Sequence, residues 1–273
     1  MGRYFGAHRA VAEIDLIVAM LRNIRRAWAS IPRRTRRHCV FCGHRVGVFL
    51  PYRGGTLHSP PLMRALDIVG SDIDNFECPR CGAHDRERHL LMYLQASGLI
   101  KRMPDLRILH FAPERQLAKF IGALSPIEYV KCDLHPSSID VERMDIEHIL
   151  RDDKSLDLIL ANHVLEHVEN DAAALSEIHR VLKVGGIAIL QTPFSSRLQR
   201  TWSDPGIVGD IPRLQAYGQE DHVRLYGKDI FDRFVACGFA AGVSSHDELL
   251  PDRNAHEFGV NPDEPFFRFW RLQ

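Results

Sequence analysis

The chain has 273 residues, 45% hydrophobic and 26% charged, with 35 Lys and Arg against 35 Asp and Glu. That composition fits one large globular domain, or one with a small accessory unit. No segment approaches the roughly 18 consecutive apolar residues of a membrane-spanning helix. Glu13 and Asp15 interrupt the one early apolar segment, so no secretory signal is expected. The charge is unevenly spread, because residues 1–54 carry eleven arginines against Glu13 and Asp15 alone. Such asymmetry suits contact with a polyanion or a membrane surface, and equally a solvated basic face.

Residues 8–30 predict an amphipathic helix, with Val11, Ile14, Ile17, Leu21, Ile24 and Trp28 at three- to four-residue steps. Arg22, Arg25 and Arg26 crowd its C-terminal end, where cations complement the helix dipole, and Pro32 stops it. The expectation is a helix packed on the main domain, within a basic helix-and-linker region 1–37.

Two knuckles follow, Cys39-Val-Phe-Cys42-Gly43 and, after 35 residues, Cys78-Pro-Arg-Cys81-Gly82. Two thiolates two residues apart reach one tetrahedral ion, and the glycine lets the backbone turn behind the second sulfur. Cys39, Cys42, Cys78 and Cys81 thus predict a closed structural zinc site in a ribbon spanning 38–86. His44, His84 and His89 lie nearby but are not required as ligands. Paired cysteines without a signal segment point to a reducing compartment, hence a cytoplasmic protein.

A helix over Glu87–Ser97, with Leu90, Leu91 and Leu94 inward, forms a connector 87–104 closed by Gly98. From residue 105 strands and helices alternate. LRILHF (106–111), EYVKCDL (128–134), ERMDI (142–146), LDLILAN (156–162) and GIAILQTP (186–193) predict strands. Helices are expected over 114–124, over 171–183, capped by Asn170 and ended by Gly185-Gly186, and over 228–239. AAGVSSH and FFRFWRL would close the sheet. Such alternation means an α/β, doubly wound, mostly parallel sheet in a domain 105–273. In these sheets a ligand lies beyond the carboxyl ends of the strands. Those ends carry His110-Phe111-Ala112-Pro113-Glu114, Asp133-Leu134, Asp145-Ile146 and Asn162-His163. An acid about twenty residues past the first turn fits an acceptor for ribose hydroxyls. A second acid fits a ligand with an adenine amine to read.

The succession HFAPE, Asp133, MDI, LDLILANHVLEHV, RVLKVGG and a final CGF resembles the class I S-adenosylmethionine-dependent methyltransferases of the type 11 group, over about residues 105–273. With CPRCG and DRER upstream, the match resembles a bacterial subgroup with an N-terminal zinc ribbon, reaching back to about residue 39. The resemblance implies a seven-stranded Rossmann-like sheet with S-adenosylmethionine as cofactor. Asp133, with Leu134 beside it, would take the ribose hydroxyls. Asp145 would face the adenine amine and Ile146 pack the ring, while Asn162 and His163 would sit beside the methyl donor. In the first loop His110 stands where the family has an acid, and Ala112-Pro113-Glu114 where it has glycines. Glu114 would instead pair with the methionine amino group.

His163-x-x-Glu166-His167 has the spacing of a zinc-peptidase motif. Such a motif lies within a helix, whereas His163 here directly follows a predicted strand, so a peptidase is not expected. One reading makes His163 or His167, with His222, acid–base groups near the methyl donor. Another has His163, Glu166, His167 and His222 hold a divalent ion, a layout similar to small-RNA 2′-O-methyltransferases and quinone O-methyltransferases. In a third, Glu166 braces neighbouring loops. The charged and aromatic segment 194–227 predicts a cap over the site, with Trp202, Tyr217, His222 and Arg224 as substrate contacts.

The reading is O-methylation of a small molecule or glycan. One alternative is an RNA methyltransferase using the ribbon and Arg33-Arg34-Thr35-Arg36-Arg37 on phosphates. The other is a zinc-ribbon adaptor with a vestigial methyltransferase fold.

Overall fold

The structure, a computed structural model, describes residues 18–31 and 37–273. Helix α1 covers 18–30; residues 8–17 of the expected helix and Arg33–Arg36 of the basic run lie outside the described residues. The expected packing of this helix is seen only at its end. Val18, Met20, Leu21, Ile24, Trp28 and Ile31 are each more than half exposed, and Ala29 alone is buried. The Ala29 carbonyl accepts from Gly47 and Val48, and Arg26 pairs with Glu77.

The next lobe holds β1 (Arg37–His38), antiparallel to β2 (Arg45–Val46), then α2 (Pro61–Ala65) and β3 (Ile68–Val69). Its small core is Cys39, Val46, Phe49, Cys78 and Ala83. Helices α3 (Asp85–Ala96) and α4 (Leu99–Arg102) lead to the main sheet. In chain order that part contains β4 (Arg107–Phe111), α5 (Arg115–Ala123), β5 (Glu128–Asp133), β6 (Glu142–Arg143), β7 (Leu156–Ala161), α6 (Asp171–Val181) and β8 (Leu182–Ile189). There follow β9 (Phe194–Ser195), α7 (Asp210–Tyr217), α8 (Ile230–Ala236), β10 (Phe239–Ala241), α9 (His246–Leu249), α10 (Ala255–Phe258) and β11 (Arg268–Arg271).

Seven strands form one sheet in the order β10-β11-β8-β7-β4-β5-β6, with β11 the only antiparallel member. This is the doubly wound Rossmann-like methyltransferase arrangement. Both faces are covered, so the central strands β4 and β7 are mostly apolar, broken only by Arg107, His110 and Asp157. Leu109, Phe111, Ile159 and Ala161 pack against α6 and α8 through Ala174, Leu175, Ile178 and Phe234. Ile108, Leu158 and Leu160 face the other way, against Leu90, Leu91, Leu117 and Ile121.

Several boundaries differ from expectation. The helix expected over 228–239 is α8, with Phe239 already in β10, and of AAGVSSH only Ala240 and Ala241 are strand, His246 opening α9. Helix α6 stops at Val181, and β8 begins at Leu182 rather than Gly186. Gly185, at φ 80, lies inside that strand, where the pairing with β7 shifts register between Leu156 and Leu158. Strand β6 is only Glu142–Arg143, so Asp145 and Ile146 occupy the turn after it.

The cysteine-bearing lobe is stitched to the sheet domain. Arg88, 0% exposed, donates to the carbonyls of Asn75, Phe76 and Ala83 on the lobe and of Phe258 and Gly259 near the C-terminus. Glu87 accepts from the Gln116 and Leu117 amides at the start of α5. Strand β3 pairs antiparallel with β9. Among the described residues no helix is long and apolar enough to cross a membrane.

Candidate active site

The carboxyl ends of β7, β4, β5 and β6 lie side by side, which brings Asn162, Ala112, Asp133 and Asp145 to one edge of the sheet. Ala112, at φ 45, turns the chain sharply after β4 and donates its amide to the Cys132 carbonyl. Glu114 follows, accepts from the Asn162 side-chain amide and sits 3.3 Å from His110 Nε2. Burial opposes its ionisation, but the hydrogen bond from His110 keeps its carboxyl below the usual range. His110 is also held by Tyr129, whose hydroxyl is 2.9 Å from Nδ1. Asp133 Oδ1 accepts the His135 amide at 2.8 Å, and Asp145 Oδ1 accepts the Glu147 amide at 2.9 Å. Each carboxylate is oriented by its own turn and remains half-buried. Leu134 is 47% exposed beside the first, and Ile146, 5% exposed, packs into the core beside the second.

Asn162 is 3% exposed, yet its Oδ1 has no hydrogen-bond partner. A buried acceptor left unsatisfied costs about 1–3 kcal/mol, so such groups signal a missing donor. That orphan, with Asp133 and Asp145, forms a row of acceptors. S-adenosylmethionine presents matching donors: an ammonium, ribose hydroxyls and an adenine amine. The residues present therefore fit this cofactor.

His163 follows on β7 in a left-handed conformation, φ 56, and its amide donates to Gln191 O at 2.7 Å. Its ring, 7% exposed, lies between two buried carboxylates. Nε2 is 3.3 Å from Glu264 Oε1, and Nδ1 is 3.4 Å from Glu166 Oε1. Burial alone would lower its pKa, but Glu166 and Glu264 outweigh it and hold the ring up at about 9. Glu264 continues into a buried chain. Its other oxygen is 3.4 Å from His89 Nδ1, His89 Nε2 is 2.9 Å from His246 Nδ1, and His246 Nε2 is 2.9 Å from the Arg253 carbonyl.

The segment after His163 is a single tight turn, Leu165–His167, not part of a longer helix. Glu166, His167 and His222 bring one ligand atom each within 4.8 Å of one another. Glu166 Oε1 is faced by His163 Nδ1, while Glu166 Oε2 and the Nε2 of His222 have no partner. His222 Nδ1, 2.9 Å from the Tyr217 carbonyl, has only that oxygen to donate to, which leaves Nε2 as a bare lone pair. Burial, first among the causes, lowers its pKa, so the ring is neutral at pH 7. Of the four residues named as an ion site, His163 is not in this set: both its ring nitrogens face carboxylates, Nδ1 that of Glu166 and Nε2 that of Glu264. The other three fit a divalent ion.

Above His163 opens a cavity of about 540 Å³. One wall is the segment between the two cysteine pairs, including Tyr52, His58 and Phe76; the other is the 194–227 segment, including Tyr217, His222, Arg224 and Leu225. Trp202 is not part of the lining. It packs behind Tyr217, ring centroids 5.4 Å apart, and pairs with Leu225 through the backbone. Arg224 lines the cavity but spends its guanidinium on the carbonyls of Leu165, Val168 and Glu169.

In the N-terminal lobe the sulfurs of Cys39, Cys42, Cys78 and Cys81 all lie within 4.8 Å of one another, with Cys39 and Cys81 3.6 Å apart. Four thiolates about 2.3 Å from one tetrahedral ion would be about 3.8 Å apart, so the set fits zinc.

Sequence reasoning missed Glu264, His246 and Arg86, and set His89 aside. Glu264 lies among polar residues near the C-terminus, and only the fold carries it to His163. The run Asp85-Arg86-Glu87-Arg88-His89 was a signal: so many ionisable groups opening a helix next to an apolar stretch are rarely all solvated.

Residues 122–190 match a family described as "Methyltransferase domain". No curated protein sequence matches the chain. Among solved structures, an S-adenosylmethionine-dependent methyltransferase from Mesorhizobium loti is similar at 18% identity, over 64% of this chain and 94% of its own, with a TM-score of 0.42. The YcgJ protein from Bacillus subtilis matches at 18% identity over 57% and 75%, TM-score 0.37. A methyltransferase from Archaeoglobus fulgidus matches at 15% identity over 57% and 72%, TM-score 0.41.

Proposed function

We propose that the chain is a class I S-adenosylmethionine-dependent methyltransferase that methylates an oxygen of a small molecule or glycan held in the cavity above His163. The single observation that carries this reading is His222. It is buried and neutral, its Nδ1 proton is committed to the Tyr217 carbonyl, and its Nε2 is unpartnered on the cavity wall.

When bound, the cofactor supplies an activated methyl group on a sulfonium. The protein's task is then alignment and removal of one proton. Asp133 takes the ribose hydroxyls and Asp145 the adenine amine, with Ile146 beneath the ring. Asn162 Oδ1 and Glu114 take the ammonium. His222 Nε2 accepts the acceptor's hydroxyl proton. His163, kept protonated by two carboxylates, is unsuited to that role at neutral pH and instead fixes the floor of the cavity. Tyr217 and Arg224 shape the wall.

The unpartnered Oε2 of Glu166 favours a second reading of the same chemistry. There Glu166, His167 and His222 would hold a divalent ion, which would polarise the acceptor hydroxyl. The four cysteines would hold a structural zinc.

The test offers methyl-tritiated S-adenosylmethionine and the purified protein to cell extract separated into small molecules, polysaccharide and RNA. Label in either of the first two fractions, lost in His222→Ala, supports the reading. Label confined to RNA, or unchanged in His222→Ala, overturns it.

A further inference from the structure

Four arginines line the cavity: Arg53, Arg64, Arg86 and Arg224. Three are committed. Arg53 pairs with Glu220 at 2.6 and 2.8 Å, Arg64 donates to the Ser59 carbonyl at 2.6 Å, and Arg224 donates to the Leu165 and Glu169 carbonyls. Arg86 differs. No hydrogen bond or ion pair reaches its guanidinium from any described residue, its Nε is buried without a partner, and its one neighbour of note is the Phe76 ring at 6.0 Å. The acidic residues on the same lining are engaged elsewhere: Asp72 accepts from the Asn75 amide and side chain, and Asp67 from Ser196. The cavity thus has four guanidinium groups against two carboxylates, and one guanidinium with nothing to bind. Asp85 and Glu114 act on its charge from beyond hydrogen-bond range, but no carboxylate meets the fork itself, and a planar fork of donors matches an oxyanion.

We infer that Arg86 is the subsite for an oxyanion, a phosphate or a carboxylate, carried by the methyl acceptor. The acceptor is then an anionic small molecule rather than a neutral glycan. This rests on the methyl-transfer reading and narrows it. The methionine carboxylate of the cofactor is the rival occupant. The lining favours the acceptor: Arg86 shares the cavity with His163, Phe76 and Tyr217, while Ala112, Glu114, Asn162, Asp133 and Asp145 lie outside it. The charge of Arg86 does reach Glu114, so the affinity for S-adenosylhomocysteine is what separates the two occupants.

The experiment loads the full-length protein with S-adenosylhomocysteine and follows thermal shift against inorganic phosphate and, separately, succinate, with chloride at matched ionic strength as control. Calorimetry of S-adenosylhomocysteine runs alongside for wild type, Arg86→Gln and Arg86→Lys. The expected result is a saturable shift by phosphate or succinate in wild type, weakened by about tenfold or more in Arg86→Gln and only partly in Arg86→Lys, which keeps charge without the fork. S-adenosylhomocysteine affinity should stay within about threefold of wild type in both variants, far less than the roughly tenfold that 1.4 kcal/mol represents. Where Arg86→Gln does not fold, Arg86→Lys supplies the comparison. The inference is overturned if neither anion shifts the wild type, if the variants respond as wild type does, or if S-adenosylhomocysteine itself is weakened tenfold. Wild-type protein that does not bind S-adenosylhomocysteine at all defeats the methyl-transfer reading instead, and the anion titration still reads Arg86 separately.

Discussion

His163 Nε2 lies 3.3 Å from a carboxylate oxygen of Glu264, a residue 101 positions further along the chain. The same carboxylate faces His89 on its other side, so one acid from the C-terminal segment joins the end of β7 to helix α3. Removing one partner of such a buried group leaves the other charge without compensation. Glu264→Ala should cost about 3–5 kcal/mol of folding stability, read by urea unfolding. Glu264→Gln, which keeps the shape, should cost less. A cost near zero for the alanine variant would show that the contact does not bind the site together.

Glu87 gives a pH dependence with a definite sign. Burial, and then the charge of Glu114, push its carboxyl up to about 7 from an ordinary value of 4.5. The folded protein therefore holds this proton where the unfolded chain has released it. Stability contributed here is complete below about pH 4.5 and falls as pH rises through about 7, by roughly 3 kcal/mol at most. The difference in unfolding free energy between wild type and Glu87→Gln should accordingly move in favour of the variant between pH 4.5 and 7 and level off above. A difference that is flat with pH would mean that Glu87 ionises normally.

The four-cysteine cluster predicts one zinc per chain by elemental analysis, lost in Cys78→Ser. Because the segment between the cysteine pairs forms one wall of the cavity, that variant should lose thermal stability and acceptor turnover together. Full retention of zinc in Cys78→Ser would contradict the assignment.

Much of this was legible in the sequence, and the reasons are local. Asp133 was placed because the alternation of short apolar runs and helical periods marks the end of β5 directly, whereas Asp145 falls two residues past the end of β6. The cysteine pairs were legible because ligand spacing is itself the chemistry. Gly185-Gly186 misled, since a glycine pair after a helical pattern reads as a stop, while in the structure Gly185 absorbs a shift of strand register after the helix has already ended at Val181. The exposed apolar side of α1 was not legible either, because periodicity shows that a stripe exists but not what covers it. The charged run holding Arg86 was visible, but the roles of Glu264 and Arg86 were out of reach for a different reason. Their roles come from which residues the fold places opposite them, and no local pattern encodes that. Trp202 was named for its type, yet the turn of the chain puts Tyr217 between it and the cavity.

The central claim is that carboxylates after β5 and β6 hold an adenosine group at the edge of the sheet. Isothermal titration with S-adenosylhomocysteine tests it most directly. The account predicts binding at one site per chain in wild type, weakened by at least roughly tenfold in Asp133→Ala, each tenfold being about 1.4 kcal/mol, and by a smaller factor in Asp145→Ala. Binding by Asp133→Ala with wild-type affinity would contradict it.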